Sequence, residues 1–169
     1  MIGPSPRLNH LDATLAAWMA RHGIRLLRLS LGLVFLWFGA LKFFPGLSPA
    51  QSLAGNTIGI LSFGLLTPKA AVFMLAVWEC AIGVGLLSGL YLRATLFLLW
   101  LQMLGTVTPL FLFPAECFTL VPFAPTLEGQ YIIKNLVLIT AGLVIGATVR
   151  GGRISARPVP EDPDGRATS

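Results

Sequence analysis

Four runs of apolar residues punctuate this chain, at about 24–44, 70–90, 92–113 and 131–149. Each is close to the roughly 20 residues that a helix needs to cross a bilayer at 1.5 Å per residue. Short connections make neighbouring helices antiparallel, so the pattern predicts an all-α polytopic membrane protein, an antiparallel bundle of four transmembrane helices. Ahead of the first run, Leu8, Leu11, Leu15, Trp18 and Met19 recur at helical spacing, with Asp12 and Arg21 elsewhere on the wheel. That arrangement predicts an amphipathic helix lying in the interface of the cytoplasmic leaflet. The first apolar run is longer than a signal-peptide core, and no small-residue cleavage site stands before Phe43, so it reads as a permanent anchor. The chain thus divides into an amphipathic segment (1–23), a transmembrane domain (24–149) and a disordered tail (150–169) rich in Pro, Gly and charge.

Two longer connections break the usual pattern of polar loops. Residues 45–68 hold Pro45, Pro49, Gly55, Gly59, Gly64 and Pro68, but also Leu53, Ile58, Leu61 and Phe63. Residues 114–130 set Pro114, Pro122 and Pro125 among Phe118, Leu120, Val121 and Phe123. Connections this apolar are expected to fold back as interfacial or re-entrant segments capping the outer end of the bundle, where irregular backbone is tolerated only against protein or a cavity. Thr108-Pro109 predicts a kink in the third span, because proline removes a backbone donor. Gly85/Gly89 and Gly142/Gly146 are GxxxG pairs. Packing within one bundle is the plainer expectation for them; a face for a larger membrane complex is the alternative.

Composition agrees with this pattern. Apolar residues make up 55% of the chain and charged ones 11%, against about 25% charged in soluble domains. The excess of 12 Lys and Arg over 7 Asp and Glu would suggest nucleic acid in a soluble protein, but here the basic residues flank apolar spans. Nine of them, Arg7, Arg21, Arg25, Arg28, Arg93, Arg150, Arg153, Arg157 and Arg166, fall on one side; Lys42, Lys69 and Lys134 fall on the other. By the positive-inside rule both termini are cytoplasmic.

Candidate chemistry is confined to a few polar residues at membrane depth. Glu79 lies mid-span in the second apolar run. An ionised carboxylate there costs about 2.5–3.5 kcal/mol on insertion scales, so it must be paired, protonated or facing a wet cavity. Gln102 falls at similar depth on the third span, Lys42 and Lys134 lie nearer the outer surface, and Glu128, Gln130, Tyr131 and Asn135 cluster around Lys134. Convergence of these groups in the outer half of the bundle predicts a ligand site. Pairing of Glu79 with either lysine merely to fix helix register is the structural alternative. His10 and His22 precede the first span, so no haem ligand lies inside the bundle, and no metal-binding spacing appears. Cys80 and Cys117 read as inert small side chains rather than a disulfide. Any redox carrier is therefore a lipid-soluble quinone or belongs to a partner. Trp37, Phe38, Phe43, Phe44, Trp78 and Trp100 are candidate pocket aromatics, although lipid-facing positions are commoner for them.

Three stretches, LLRLSLGLVFLWFGALKFFPG, VWECAIGVGLLSGL and TLEGQYIIKNLVLITAGLVIG, span Leu26 to Gly146, most of the chain. In these stretches, which leave about half of that range uncovered, the chain resembles the DoxX-like family of small membrane proteins. The resemblance implies a four-helix membrane fold in the bacterial inner membrane. It also implies a link to quinone-associated redox or oxidative stress, since the family takes its name from a subunit of a thiosulfate:quinone oxidoreductase. Carried over by position, the family-like polar residues are Lys42, Glu79, Glu128, Gln130, Lys134 and Asn135. Two functions follow as expectations: a subunit that binds a quinone in the outer half of its bundle, or a non-catalytic accessory subunit packed against a larger membrane complex.

Overall fold

The computed structural model describes residues 6–48 and 51–152, with side chains from Leu11 onward. The chain runs α1 (Pro6–Leu41), α2 (Gln51–Leu61), α3 (Pro68–Ser88), α4 (Leu92–Val107), α5 (Pro109–Leu112), α6 (Pro114–Cys117), a hairpin of β1 (Phe118–Leu120) and β2 (Ala124–Pro125), and α7 (Leu127–Thr148). Four stretches, Leu11–Leu41, Pro68–Ser88, Leu92–Leu112 and Leu127–Thr148, are helical, long and apolar enough to cross a membrane. The four-span bundle expected from the hydrophobic pattern is present.

Packing of α1 on α3, α3 on α4, α4 on α7 and α7 back on α1 closes the bundle. Its core gathers Leu31, Phe35, Ile82, Leu86, Leu96, Leu99, Met103, Ala141 and Ile145. Phe73, Phe97, Leu104 and Val137 point outward, as they must where the surrounding solvent is hydrocarbon. The α3–α4 turn brings Arg93 to the end of the bundle that also carries Arg28 and Arg150, while Lys69 and Lys134 lie at the other.

Glycines set the distance between α1 and α3. Gly32 lies against Leu86, Leu36 against Gly83, and Gly39 against Glu79 and Cys80. A Cβ on Gly83 would stand 2.5 Å from the Leu36 backbone nitrogen. This antiparallel register has a consequence for length. Leu27 still packs against the core and Arg28 lies beside Gly89, the C-cap of α3, so Pro6 to Leu26 continue past the bundle as roughly 32 Å of helix. At its other end α1 stops opposite the middle of α3. The N-terminal half of α3 is packed by α2 instead, with Gly55 against Pro68. Leu53 of α2 joins Cys117 and Ile132 in a second small core with Leu110, Phe113 and Phe118.

Several expectations need correction. The amphipathic stretch is not a separate helix but the first part of α1, which runs unbroken through Gly23 from Pro6 to Leu41. The fourth span begins at Leu127, four residues earlier than the apolar run, because Thr126 caps it by accepting from Gly129 N–H. The second connection contains a two-stranded hairpin. The GxxxG pairs, by contrast, pack within the bundle as the plainer expectation had it: Gly85 lies against Thr95 of α4, Gly89 against Arg28, and Gly142 and Gly146 against Trp100. At Thr108 the third span does break, with Pro109 opening a new turn. The tail from Arg153 onward and Pro49 lie outside the described residues.

Candidate functional site

Gly39 brings α1 so close to α3 that a Cβ there would meet the Glu79 Cβ at 2.8 Å. One turn later Lys42, held by its N–H to the Gly39 carbonyl at 3.1 Å, reaches Glu79. Its Nζ donates to Glu79 Oε2 at 2.6 Å and, more weakly, to the Phe38 carbonyl at 3.4 Å. The other carboxylate oxygen, Oε1, accepts from Gln102 Nε2 at 2.7 Å. Gln102 is in reach because the tight α3–α4 turn sets the two helices antiparallel, and Trp78 Nε1 ties them beside the site by donating to the Leu98 carbonyl at 3.1 Å. Both partners of the ion pair are largely buried, with side-chain exposures of 13% and 10%. Two of the three ways in which a mid-membrane carboxylate can exist are thus combined: it is paired, and it faces a cavity.

That cavity has a volume of about 590 Å³, within the range of small-molecule sites. It lies in the space left where α1 stops short. Phe35, Phe38, Trp78 and Leu138 form part of its apolar wall, and α2 contributes Leu53, Thr57 and Ile58. The polar groups are few. Lys42, Glu79 and Gln102 are joined by Thr106 and, from α7, by Glu128, Lys134 and Asn135. Thr57 and Thr106 each donate to a carbonyl one turn back, of Leu53 at 2.7 Å and of Gln102 at 2.9 Å. Gln102 Oε1 is buried and has no hydrogen-bond partner among the described residues.

Of the seven residues proposed from the sequence, six line this cavity and three touch one another. Gln130 lies outside: it is exposed and does not line the cavity, because successive residues of a helix point about 100° apart and Tyr131, the next residue, takes the cavity side. The lysine beside Glu79 is Lys42, whereas Lys134 stands with its ammonium 5.7 Å from the centre of the Tyr131 ring. Of the candidate aromatics, Phe38 and Trp78 line the cavity. Phe43 instead packs edge-on against Phe73, Trp37 and Phe44 are exposed, and Trp100 covers Gly142. The apolar connection 45–68 was expected to fold back on the bundle, and α2 does so, but Thr57 and Thr106 were not foreseen. A threonine in an apolar connection carries no sequence signal of its own until α2 is seen to fold over the cavity.

The two cysteines are free and apart. Cys80 Sγ lies 3.9 Å from the Leu36 carbonyl, and Cys117 Sγ 3.5 Å from that of Pro109. Burial, with the charges of Glu116 and Glu128 added, pushes the Cys117 thiol above its ordinary pKa.

Comparison with known proteins rests on a family model. No curated protein sequence and no solved structure matches the chain. The model of the DoxX family matches residues 23–114, which include α1 from Gly23, α2, α3 and α4, and hence Lys42, Glu79 and Gln102. With more than half its length matched and four helices able to cross a membrane, the chain belongs to the DoxX family of membrane proteins.

Proposed function

We propose that this protein binds a lipid-soluble ligand of the quinone class in the cavity beside Glu79, and so serves quinone-associated redox or oxidative-stress processes in the bacterial inner membrane. The observation that carries the reading is a small polar cluster set in an otherwise apolar cavity of ligand size. Chemistry of that kind suits a flat head group with two oxygens on an apolar tail. Lys42 would hold a ligand oxygen, Gln102 and Glu79 would orient the head group, and Phe38 and Trp78 would flank it. When bound, a quinone supplies two-electron redox chemistry; the chain's own part is to bind it, exclude water and keep a charged pair beside its oxygens. The arginine-rich end of the bundle faces the cytoplasm on this reading, with the cavity in the opposite half.

Organic extraction of the protein purified in mild detergent, followed by mass spectrometry, tests the reading. The wild type is expected to carry near-stoichiometric quinone, and the Glu79→Gln and Lys42→Met variants to lose it while remaining monodisperse. Absence of quinone from wild type and variants alike, with a larger assembly retained in all three, would favour the accessory-subunit role instead.

A further inference from the structure

We infer that the cavity selects a ligand whose head group donates hydrogen bonds, so that a hydroquinone or related phenol is held in preference to the corresponding quinone. This rests on the ligand reading above and goes beyond it in naming the form that is bound.

The inference follows from which hydrogen-bonding capacity is already used. Lys42 Nζ spends protons on Glu79 Oε2 and on the Phe38 carbonyl. Gln102 directs its Nε2 donor to Glu79 Oε1. The hydroxyls of Thr57 and Thr106 give their protons to backbone carbonyls. Trp78 Nε1 is likewise engaged, with the Leu98 carbonyl. The donors grouped around Glu79 are therefore committed inside the protein, while Lys134 and Asn135 of α7 also line the cavity.

Acceptors are left over. Gln102 Oε1 is buried, without a partner among the described residues. Glu79 and the two threonine oxygens each retain lone pairs beyond the bonds already made. The amide cannot be turned over to relieve this, because Oε1 would then face the carboxylate oxygen that Nε2 now serves. A buried acceptor without a donor is costly, and a ligand that brings a donor to it recovers that cost.

A quinone offers acceptors only: it could accept from the remaining Lys42 proton or from the Lys134 and Asn135 side chains, but it brings no proton to Gln102 Oε1. A hydroquinone offers an O–H to Gln102 Oε1 while its oxygen still accepts from Lys42. The difference is one hydrogen bond to an otherwise unsatisfied buried group, which corresponds to about tenfold in affinity.

Binding of three decyl-chain probes to the full chain in detergent under anaerobic conditions tests this: a hydroquinone, its quinone and its dimethyl ether. Quenching of tryptophan fluorescence reads the binding, since Trp78 lines the cavity. The hydroquinone is expected to bind about tenfold more tightly than the other two. In Gln102→Leu that preference should fall toward unity, and in Thr106→Val it should fall less. Equal affinity of hydroquinone and quinone in the wild type overturns the donor inference and leaves the cavity as a quinone site. Failure of all three to bind removes the site, and the inference with it. A preference that persists undiminished in a folded Gln102→Leu variant overturns the assignment to Gln102. The wild-type comparison needs no variant, so a misfolding substitution does not blunt the test.

Discussion

Lys42 and Glu79 stand 37 positions apart in the chain, yet their charged groups meet at 2.6 Å. Neither is tolerable alone at that depth. Replacing one partner of such a pair leaves the other charge buried and uncompensated, at a cost of about 3–5 kcal/mol. Lys42→Met is therefore expected to lower the thermal stability of the detergent-solubilised protein sharply. The double variant Lys42→Met/Glu79→Leu should recover most of the loss, because no orphan charge remains. A single variant as stable as the wild type would show that the pair is not formed in the native protein. At this scale the sequence was informative about identity but not about partnership. An acid in an apolar run is conspicuous in any reading, and so is a glutamine at the same depth. Which lysine answers the acid depends on where α1 ends relative to α3, to within one helical turn, and apolar patterning does not encode that offset.

Helix contacts carry the same lesson for the elements. The hydrophobic runs located all four spans, since length and apolarity are properties of each segment alone. The register between them is written in single glycines. At Gly83 a Cβ would stand 2.5 Å from the Leu36 nitrogen and 2.8 Å from its Cα, and backbone atoms cannot swing aside as a side chain can. Gly83→Ala is expected to destabilise the protein by about 1–3 kcal/mol, the usual cost of overpacking. Gly23→Ala makes the control: it lies inside α1 with nothing within 4 Å of the added carbon, and should be neutral or stabilising by up to about 1 kcal/mol. Paired thermal melts in one detergent decide the matter, and equal shifts for the two substitutions would refute the close approach of α1 and α3. The conspicuous GxxxG motifs drew attention to Gly85, Gly89, Gly142 and Gly146. Isolated Gly32, Gly39 and Gly83, which have no motif to advertise them, set the contact that places Lys42 beside Glu79.

For the whole molecule, the charge distribution and the bundle agree on which ends belong together. Arg28, Arg93 and Arg150 come from α1, the start of α4 and the residues after α7, and antiparallel packing gathers them at one end. Single cysteines introduced into a cysteine-free background at Arg93 and at Lys69, both exposed, test the orientation. A membrane-impermeant maleimide added to spheroplasts is expected to label the Lys69→Cys protein and to reach the Arg93→Cys protein only after permeabilisation. The reverse pattern would place the cavity in the cytoplasmic half.

The sequence by itself determined the membrane environment, the number of spans, their antiparallel order and the presence of polar groups in the half of the bundle away from its arginines. Each of these follows from local composition, because the bilayer imposes one length and one polarity on any helix that crosses it. Only the tertiary structure decided that α1 stops short against α3, that α2 folds over the space beyond it, and that Lys42, Glu79 and Gln102 face the cavity so formed. Those facts arise from contacts between segments distant in the chain, where the fit of a few glycines and the cost of an unpaired buried charge, rather than hydropathy, select the arrangement.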